Sequence, residues 1–237
     1  MAQAHPPDCL HCTNRKDSEW GSLCQHDLAL LNQAKVVNHY RAGQVIFYQG
    51  NPPLGIYCIE KGTVVLRKSD VEGRSAIIRV LGKGQTLGYR SFFSQQPYGN
   101  SAEAATDCTI CWIDKAVVND IAARNPQVIL DFMKHISQDL QDAEENFLRA
   151  ATLSIRARMA HFLLMLKDKD SDVDDEGRIS ITLSLSRQDI ASMLGTTPET
   201  VARTVRGLTD DKVAVFEKRR VLIPDLDRLL DEVECVS

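Results

Sequence analysis

The first half of the chain is a series of short apolar segments separated by glycine-containing turns. Within residues 28–114 the apolar side chains either alternate with polar ones or form brief runs. Short strands at regular spacing, with turn signals between them, indicate an antiparallel barrel or sandwich. We predict strands at Gln44–Gln49, Gly55–Ile59, Thr63–Arg67, Ala76–Leu81 and Thr109–Ile113. This region is the candidate sensory domain.

A heptad pattern follows, beginning where Pro126 opens a predicted long helix as its first residue. Its apolar positions are spaced alternately four and three residues apart, as in the seam of a parallel two-stranded coiled coil. They are Ile129, Met133, Ile136, Leu140, Ala143, Phe147 and Ala150. In this register Asp139 and Glu144 meet across the dimer, so their repulsion is expected to weaken it. The alternative is a helix that packs on its own domain.

Two short helices around a glycine turn are predicted between residues 184 and 209. Ser186 and Asp189 have the three-residue spacing of a capping box, which starts the first helix. Gly195 can take the positive φ that ends that helix. Thr197 as N-cap and Pro198 as first helical residue then start the second. This pattern predicts a helix-turn-helix.

The polar face of the second helix is suited to reading base edges. Arginine can donate two hydrogen bonds to guanine, and glutamate can accept one from cytosine. We therefore favour Glu199 and Arg203 as the base-reading pair. The full predicted DNA-binding face comprises Glu199, Ala202, Arg203 and Arg206.

Two further strands are predicted within residues 213–223, around a basic tip. The tip comprises Lys218, Arg219 and Arg220, which are suited to phosphates rather than bases. Together with the two helices they predict a winged helix-turn-helix. The alternative is an ordinary helical hairpin whose arginines are simply solvated.

The charge of the whole chain is opposite in sign to that of this segment. The 237 residues carry a formal net charge of −4. Residues 186–223, however, hold seven Lys and Arg against five Asp and Glu, a local balance of +2. Any affinity for DNA must therefore come from this local face. The length favours two domains.

Several functional classes are disfavoured by what the sequence does not contain. No apolar run is long enough to span a membrane, and the N-terminal residues lack the apolar core of a signal peptide, so a cytoplasmic protein is expected. There is no Walker motif, nucleophile elbow or pair of candidate catalytic carboxylates. We therefore do not expect an enzyme.

The N-terminal segment is marked by cysteines. Residues 1–25 hold few large apolar side chains and are not expected to fold by burial alone. Cys9 and Cys12 form a C-x2-C pair that can converge on one metal or cluster, and Cys24 is a candidate third ligand. A zinc site could recruit His11 or His26, whereas an iron–sulfur cluster would need a fourth cysteine. The alternative is a disordered tail with incidental thiols.

Three more cysteines lie in the predicted strands. Cys58 is most simply a buried core thiol. Cys108 and Cys111 are an odd number of residues apart in one strand-like segment, so their side chains are expected to point to opposite faces. At most one of them can easily face a shared site.

The order of motifs resembles the CRP/FNR family of bacterial transcription regulators. The resemblance rests on Gly43–Gly50, Tyr57–Val64 and Gly84–Gly88, followed by the long helix and the winged helix-turn-helix. Glu199-Thr200-Val201-Ala202-Arg203 is similar to the family's E-T-V/I-x-R recognition motif. The resemblance implies an α+β fold: an N-terminal antiparallel β-roll (a cyclic-nucleotide-binding-like jelly roll), a long dimerisation helix and a C-terminal winged helix-turn-helix.

The resemblance divides the chain into four segments and suggests its partners. The segments are residues 1–27 with the cysteines, 28–125 as sensory β-roll, 126–152 as dimerisation helix and 153–237 as DNA-binding domain. The implied partners are a second copy of the chain, RNA polymerase and double-stranded DNA. The DNA target would be an inverted repeat with a TGA-like half-site core.

The resemblance also bears on the effector. In cyclic-AMP-binding members a glutamate holds the ribose and an arginine holds the phosphate, but Tyr89 and Asn100 stand at those positions. We therefore expect no cyclic AMP. Arg90 is a cation next to Tyr89, so a different anionic effector remains an alternative.

The cysteines resemble those of the FNR branch, which has an N-terminal cluster of cysteines and one more late in the β-roll. This implies an iron–sulfur cluster of the 4Fe-4S type, held by Cys9, Cys12, Cys24 and Cys111, with Cys108 as the alternative fourth ligand. The predicted function is a homodimeric transcription regulator that senses oxygen or redox state. Alternatives are control by zinc, a thiol switch or a small-molecule effector. A thiol oxidoreductase is disfavoured, since no βαβ pattern accompanies the C-x2-C pair.

Overall fold

The computed structural model describes residues 8–15, 18–167, 171–174 and 177–234. Cys235 lies outside these residues. The chain divides into two compact units, Met1–Gln141 and Asp142–Ser237. Each unit has its own sheet structure and its own buried core.

The N-terminal unit contains eight strands and three complete helices among its described residues. The strands are β1 (Val36–Tyr40), β2 (Val45–Phe47), β3 (Gly55–Lys61), β4 (Val64–Ser69), β5 (Ser75–Leu81), β6 (Thr86–Leu87), β7 (Ser101–Ala104) and β8 (Cys108–Asp114). The helices are α1 (Gln25–Ala34), α2 (Tyr89–Ser94) and α3 (Lys115–Arg124). Two antiparallel sheets result, in the orders β1-β8-β3-β6 and β2-β7-β4-β5.

The C-terminal unit combines helices with one small sheet. Its elements are α5 (Ile155–Lys167), β9 (Ser171–Val173), β10 (Ile179–Thr182), α6 (Arg187–Met193), α7 (Pro198–Asp210), β11 (Val215–Glu217), β12 (Arg220–Ile223) and α8 (Leu226–Glu234). The strands form an antiparallel sheet in the order β11-β12-β10-β9. The long helix α4 (Pro126–Thr152) crosses the boundary between the two units.

Two clusters of buried side chains form the core of the N-terminal unit. The first fills the space between the strands and includes Ile59, Ile110 and Cys108. The second forms where α1, α3 and α4 meet the strand residues Ile56 and Ile113. The N-terminal segment joins the second cluster through Trp20 and Leu23, which are both buried.

The predicted β-roll and winged helix-turn-helix are confirmed, and so is the mixed α+β class. All five predicted strands are present with small shifts at their ends. The sequence pattern did not indicate the helices α1, α2 and α3 or the strands β1, β6 and β7. It placed the start of the β region at Leu28, but Leu28 and Leu31 lie three residues apart on a helix and are buried in the core.

The outer face of α4 carries an unpartnered apolar stripe. Met133, Leu140 and Phe147, spaced seven residues apart, are 59%, 61% and 77% exposed. Ile129 and Ile136 are half-buried, and Ile136 packs on the second core. Ala143 and Ala150 are exposed. The predicted seam is therefore open to solvent at five of its seven positions and remains a prediction.

One prediction for this helix is wrong. Asp139 does not face outward to meet a partner's Glu144, because its side chain is only 7% exposed. It accepts hydrogen bonds from Arg79 on β5 and from the hydroxyl of Tyr89 on α2. The heptad register could not reveal this pairing, since Arg79 is 60 residues away in sequence. Among the described residues, no helix is both long enough and apolar enough to cross a membrane.

Candidate DNA interface and cysteine cavity

The two helices of the DNA-binding motif begin and end as their sequence predicts. The Ser186 hydroxyl accepts from the Asp189 amide at 3.1 Å, and the Asp189 carboxylate accepts in return from the Ser186 amide at 3.2 Å. Gly195 has φ +62°, the left-handed conformation that ends α6. Thr197 caps α7 by accepting from the Thr200 amide at 3.3 Å. The turn is thus fixed by local hydrogen bonds.

Helix α7 has one buried and one exposed face. Val201 and Leu208 are buried, whereas Glu199, Arg203 and Arg206 are exposed and Ala202 is half-buried. This arrangement leaves the predicted base-reading side chains free to enter a groove.

The electrostatics at the start of α7 favour a charged Glu199. Its pKa is lowered chiefly by the backbone amide at the helix N-terminus, with further help from Thr197 and Arg203. Arg203 is also held by a hydrogen bond of 3.2 Å to the Thr200 hydroxyl. An ionised carboxylate and a partly oriented guanidinium are suited to accept from cytosine and donate to guanine.

The basic tip lies in the turn between β11 and β12. Lys218 and Arg219 are exposed there, and Lys218 has φ +53°. Arg220 is also exposed and donates to the Ser180 hydroxyl on β10 at 2.6 Å. All three cations can approach phosphates, as the wing of such a motif requires.

A cavity in the N-terminal unit is lined by four cysteines. Cys9 and Cys12 come from the N-terminal turn, whereas Cys58 and Cys111 come from β3 and β8. We call this space, of about 570 Å³ including its opening to solvent, the cysteine cavity. Lys35 also lines it. The structure therefore brings together three of the four predicted ligands, Cys9, Cys12 and Cys111.

The N-terminal turn is held in place by specific hydrogen bonds. The Cys9 amide donates to the Asn32 side chain on α1 at 2.9 Å. The Asp8 carboxylate accepts from the Leu10 amide at 3.0 Å and lies 2.7 Å from Nδ1 of His11. These bonds fix the start of the C-x2-C pair against the helix.

The two remaining candidate ligands lie elsewhere. Cys24 is exposed at the N-cap of α1, with its sulfur 3.4 Å from Asp27 Oδ2, and it is absent from the described lining of the cavity. Cys108 is buried in the first core and donates to the carbonyls of Thr63 and Thr106 at 3.3 and 3.2 Å. As expected from their spacing, Cys108 and Cys111 point to opposite faces of β8.

Burial favours the neutral form of three of the thiols in the cavity. Burial raises the pKa of Cys9 and Cys58, and it raises the pKa of Cys111 to about 11. The positive charge of Lys35 opposes this effect at Cys9 and Cys111. A metal ion or other cationic group bound in the cavity would favour the thiolate over the thiol, since a coordinated thiol loses its proton.

A second cavity, of about 320 Å³ with its opening, lies between the β-roll strands and α2. Its lining includes Tyr89, Arg90, Ser91 and Asn100. The Tyr89 hydroxyl is engaged by Asp139 and by Arg79, whose guanidinium donates to it at 3.2 Å. Tyr89 and Asn100 are the residues that stand where the cyclic-AMP-binding members have a glutamate and an arginine.

A buried polar network was not foreseen from the sequence. Glu19 is buried and accepts from the Thr86 hydroxyl at 2.6 Å and from Nδ1 of His135 on α4. His135 also lies 3.5 Å from Asp139, and its pKa is raised chiefly by the hydrogen bond to Glu19. No local pattern marks this network, because its members come from separate segments of the chain.

Comparisons with known proteins agree with this architecture. A model of the cyclic nucleotide-binding domain matches residues 37–125, and a model of the Crp-like helix-turn-helix domain matches residues 157–232. The chain is 26% identical over 228 residues to the transcriptional activator protein FnrL of Cereibacter sphaeroides, which covers 94% of this chain and 91% of that protein.

Two further relatives illustrate the range of similar proteins. The cAMP-activated global transcriptional regulator CRP of Haemophilus influenzae is 25% identical over 189 residues, 79% of this chain and 83% of that protein. The crystal structure of a CRP/FNR-family transcriptional regulator from Thermus thermophilus aligns with a TM-score of 0.70 and 26% identity, over 85% of this chain and 100% of that one. The chain therefore belongs to the CRP/FNR family of transcription regulators, which bind DNA, typically as dimers, and are not enzymes.

Proposed function

We propose that this DNA-binding regulator responds to oxygen or redox state through an iron–sulfur cluster bound in the cysteine cavity. The observation that carries the proposal is the meeting of Cys9, Cys12 and Cys111 around one cavity, although Cys111 is about a hundred residues from the other two. Such a cluster supplies a redox centre whose potential depends on solvent exposure and on hydrogen bonds to its sulfurs. Lys35 would offset the negative charge of the thiolates.

The spread of the thiols favours a cluster over a single zinc ion. Tetrahedral zinc with a Zn–S distance of about 2.3 Å needs sulfurs roughly 3.8 Å apart. Among the described residues, no three histidine, cysteine or acidic side chains are grouped so as to hold one metal ion. A cluster with several irons does not require its thiols to converge on one atom, which is why we propose a cluster.

Anaerobic purification tests the proposal. Iron, sulfide and visible absorption are measured on the full chain before and after exposure to air. The expected protein is brown when anaerobic and bleaches in air, with the cavity thiols protected from alkylation. Colourless anaerobic protein with stoichiometric zinc would contradict the proposal.

The second candidate function is a thiol switch, favoured by the pairing of Cys58 with Cys111 in directly opposite positions of β3 and β8. Oxygen or peroxide would accept two electrons and two protons as the two thiols join in a disulfide. Mass spectrometry without reductant distinguishes this outcome from cluster binding. The covalent link would be found in protein that contains no iron.

For the DNA target we propose an inverted repeat with a TGA-like half-site core, bound in the cytoplasm together with RNA polymerase. A dimer with one recognition helix per half-site reads two sites about 34–36 Å apart. Glu199 and Arg203 would read bases, while Lys218, Arg219 and Arg220 would bind phosphates.

The dimer interface is proposed to be the stripe formed by Met133, Leu140 and Phe147. Phe147→Glu is expected to shift the dimer toward monomer, because it would place a charge in the apolar seam. Sedimentation velocity measures the shift. Leu148→Glu is the matched control, since Leu148 is 60% exposed but lies outside the heptad seam. Equal dissociation by both substitutions would contradict the seam.

Cyclic AMP is expected to leave DNA affinity unchanged. The hydroxyl of Tyr89 is already engaged by Asp139, and Asn100 supplies no charge to oppose a phosphate. Fluorescence anisotropy with a labelled DNA site, with and without the nucleotide, measures the effect. Calorimetric binding of cyclic AMP together with tighter DNA binding would contradict this expectation.

A further inference from the structure

Cys58 lies in the sheet at a position that faces the cysteine cavity. It is the direct antiparallel partner of Cys111 in the pairing of β3 with β8. Side chains at opposed positions of an antiparallel pair project from the same face, with Cβ atoms about 4.5–5.5 Å apart. Both sulfurs accordingly line the cavity, together with Cys9 and Cys12.

The Cys58 sulfur receives a hydrogen bond from a buried side chain, which partly offsets the burial and the nearby Glu19 carboxylate that raise the pKa of this thiol. The indole N–H of Trp20 donates to this sulfur at 3.2 Å, and the Thr86 hydroxyl lies 3.9 Å away. The Thr86 hydroxyl donates its hydrogen to Glu19, so the indole N–H is the donor that would stabilise a ligating thiolate and tune the potential of the centre. Trp20 is itself fixed by burial and by an edge-to-face contact with Phe132 at 5.4 Å.

Cys24 is poorly placed to enter the same cavity. Its side chain is exposed at the N-cap of α1, and the preceding residues are anchored by the buried side chains of Trp20 and Leu23. Each of these anchors is at most 5% exposed, so the segment that leads to Cys24 is held by the core. The described fold therefore holds Cys24 away from the other thiols.

We propose that Cys58, rather than Cys24, completes the ligand set with Cys9, Cys12 and Cys111. This inference rests on the proposed function, namely that the cavity binds an iron–sulfur cluster. Two ligands then come from one hydrogen-bonded turn and two from adjacent strands of a rigid sheet. Trp20 acts as a positioning residue that donates to one of the ligating sulfurs.

Three alanine variants of the full chain test the proposal. Cys24→Ala, Cys58→Ala and Cys108→Ala are purified anaerobically beside the wild type, and iron and sulfide per chain are measured. Cys108 is the matched control, because it is a buried β-roll thiol outside the cavity. Cys58→Ala is expected to lose the cluster, whereas Cys24→Ala and Cys108→Ala are expected to keep it.

The outcomes separate this inference from the proposed function. A wild type without iron and sulfide would overturn both. A wild type that holds the cluster while Cys24→Ala loses it, or while Cys58→Ala keeps it, would overturn the assignment of Cys58 alone. Circular dichroism verifies that each variant is folded. Should Cys58→Ala not fold, Cys24→Ala still tests the proposal, because its exposed side chain can be removed without disturbing the core and loss of the cluster would overturn the assignment.

The reduction potential of a variant that keeps all four proposed ligands provides a second readout. Trp20→Phe removes the N–H donor to the Cys58 sulfur while keeping an aromatic ring in the core. We expect the cluster to remain and its reduction potential to become more negative, because a thiolate that loses a donor holds more negative charge. An unchanged potential in a folded, cluster-bound Trp20→Phe protein would overturn the ligation by Cys58.

Discussion

Replacement of His135 by alanine is expected to lower the free energy of unfolding of the N-terminal unit by about 3 kcal/mol at pH 6. The substitution leaves the carboxylate of Glu19, which is buried in the core, without its strongest partner. Removing one member of a buried pair is costly, because the other charge remains desolvated. Urea unfolding followed by tryptophan fluorescence measures the loss, since both tryptophans, Trp20 and Trp112, lie in this unit.

The same pair predicts a dependence on pH. The pKa of His135 is raised in the folded unit, chiefly by Glu19. The pair therefore stabilises the folded unit fully at pH values below the pKa of histidine in the unfolded chain, about 6.5. This stabilisation is lost as the pH rises through the higher pKa that His135 has in the folded unit. The difference in free energy of unfolding between wild type and His135→Ala should therefore become smaller at pH values above the folded pKa of His135.

His39→Ala is the control for the histidine substitution. His39 is exposed on β1, where its ring lies 3.2 Å from the Thr109 hydroxyl. It should change stability by only a few tenths of a kcal/mol, as is usual for surface positions. A difference between wild type and His135→Ala that grows with rising pH would contradict the role assigned to the pair.

Arg203→Ala is expected to weaken binding to the specific DNA site by ~1–3 kcal/mol and to relax the preference at one base pair. The arginine is exposed on α7 beside an ionised Glu199, so its loss removes base contacts without disturbing the fold. Titration of labelled specific and random duplexes measures both affinities. The affinity for random DNA should change much less.

Arg219→Ala provides the contrast for the recognition helix. Its side chain lies in the wing turn and is suited to a phosphate. Its removal should weaken binding to all sequences alike. The slope of the logarithm of the binding constant against the logarithm of the salt concentration should become shallower by about one. If Arg203→Ala weakened specific and random DNA equally, its assignment to a base would be wrong.

Local signals in the sequence were enough to predict the DNA-binding motif. The capping box of Ser186, the glycine turn at Gly195 and the start at Pro198 each depend on residues within a few positions of one another. Hydrogen bonds of this range follow directly from residue type and spacing. The same applies to the strands of the β-roll, where apolar runs and glycines are adjacent in the chain.

The composition of the cysteine cavity could not be predicted in the same way. Whether Cys58 faces Cys111 depends on the register of β3 against β8, and a shift by one residue would send its side chain to the other face. The burial of Asp139 depends on Arg79 and Tyr89, which arrive from other segments. Contacts between distant segments are set by packing of the whole unit, and no short pattern encodes them.

The adjacency of Glu19 and Trp20 has a consequence for communication within the N-terminal unit. Trp20 contacts the Cys58 sulfur, while Glu19, one peptide bond away, is bonded to His135 on α4. A displacement at the cavity wall therefore needs to travel only one residue to reach the long helix. Thermodynamic coupling between two binding events is reciprocal. If a group bound in the cavity changes the affinity of α4 for a partner helix by some factor, then binding of the partner changes the affinity of the cavity for that group by the same factor. Oligomerisation would then govern how readily the cavity releases a bound group.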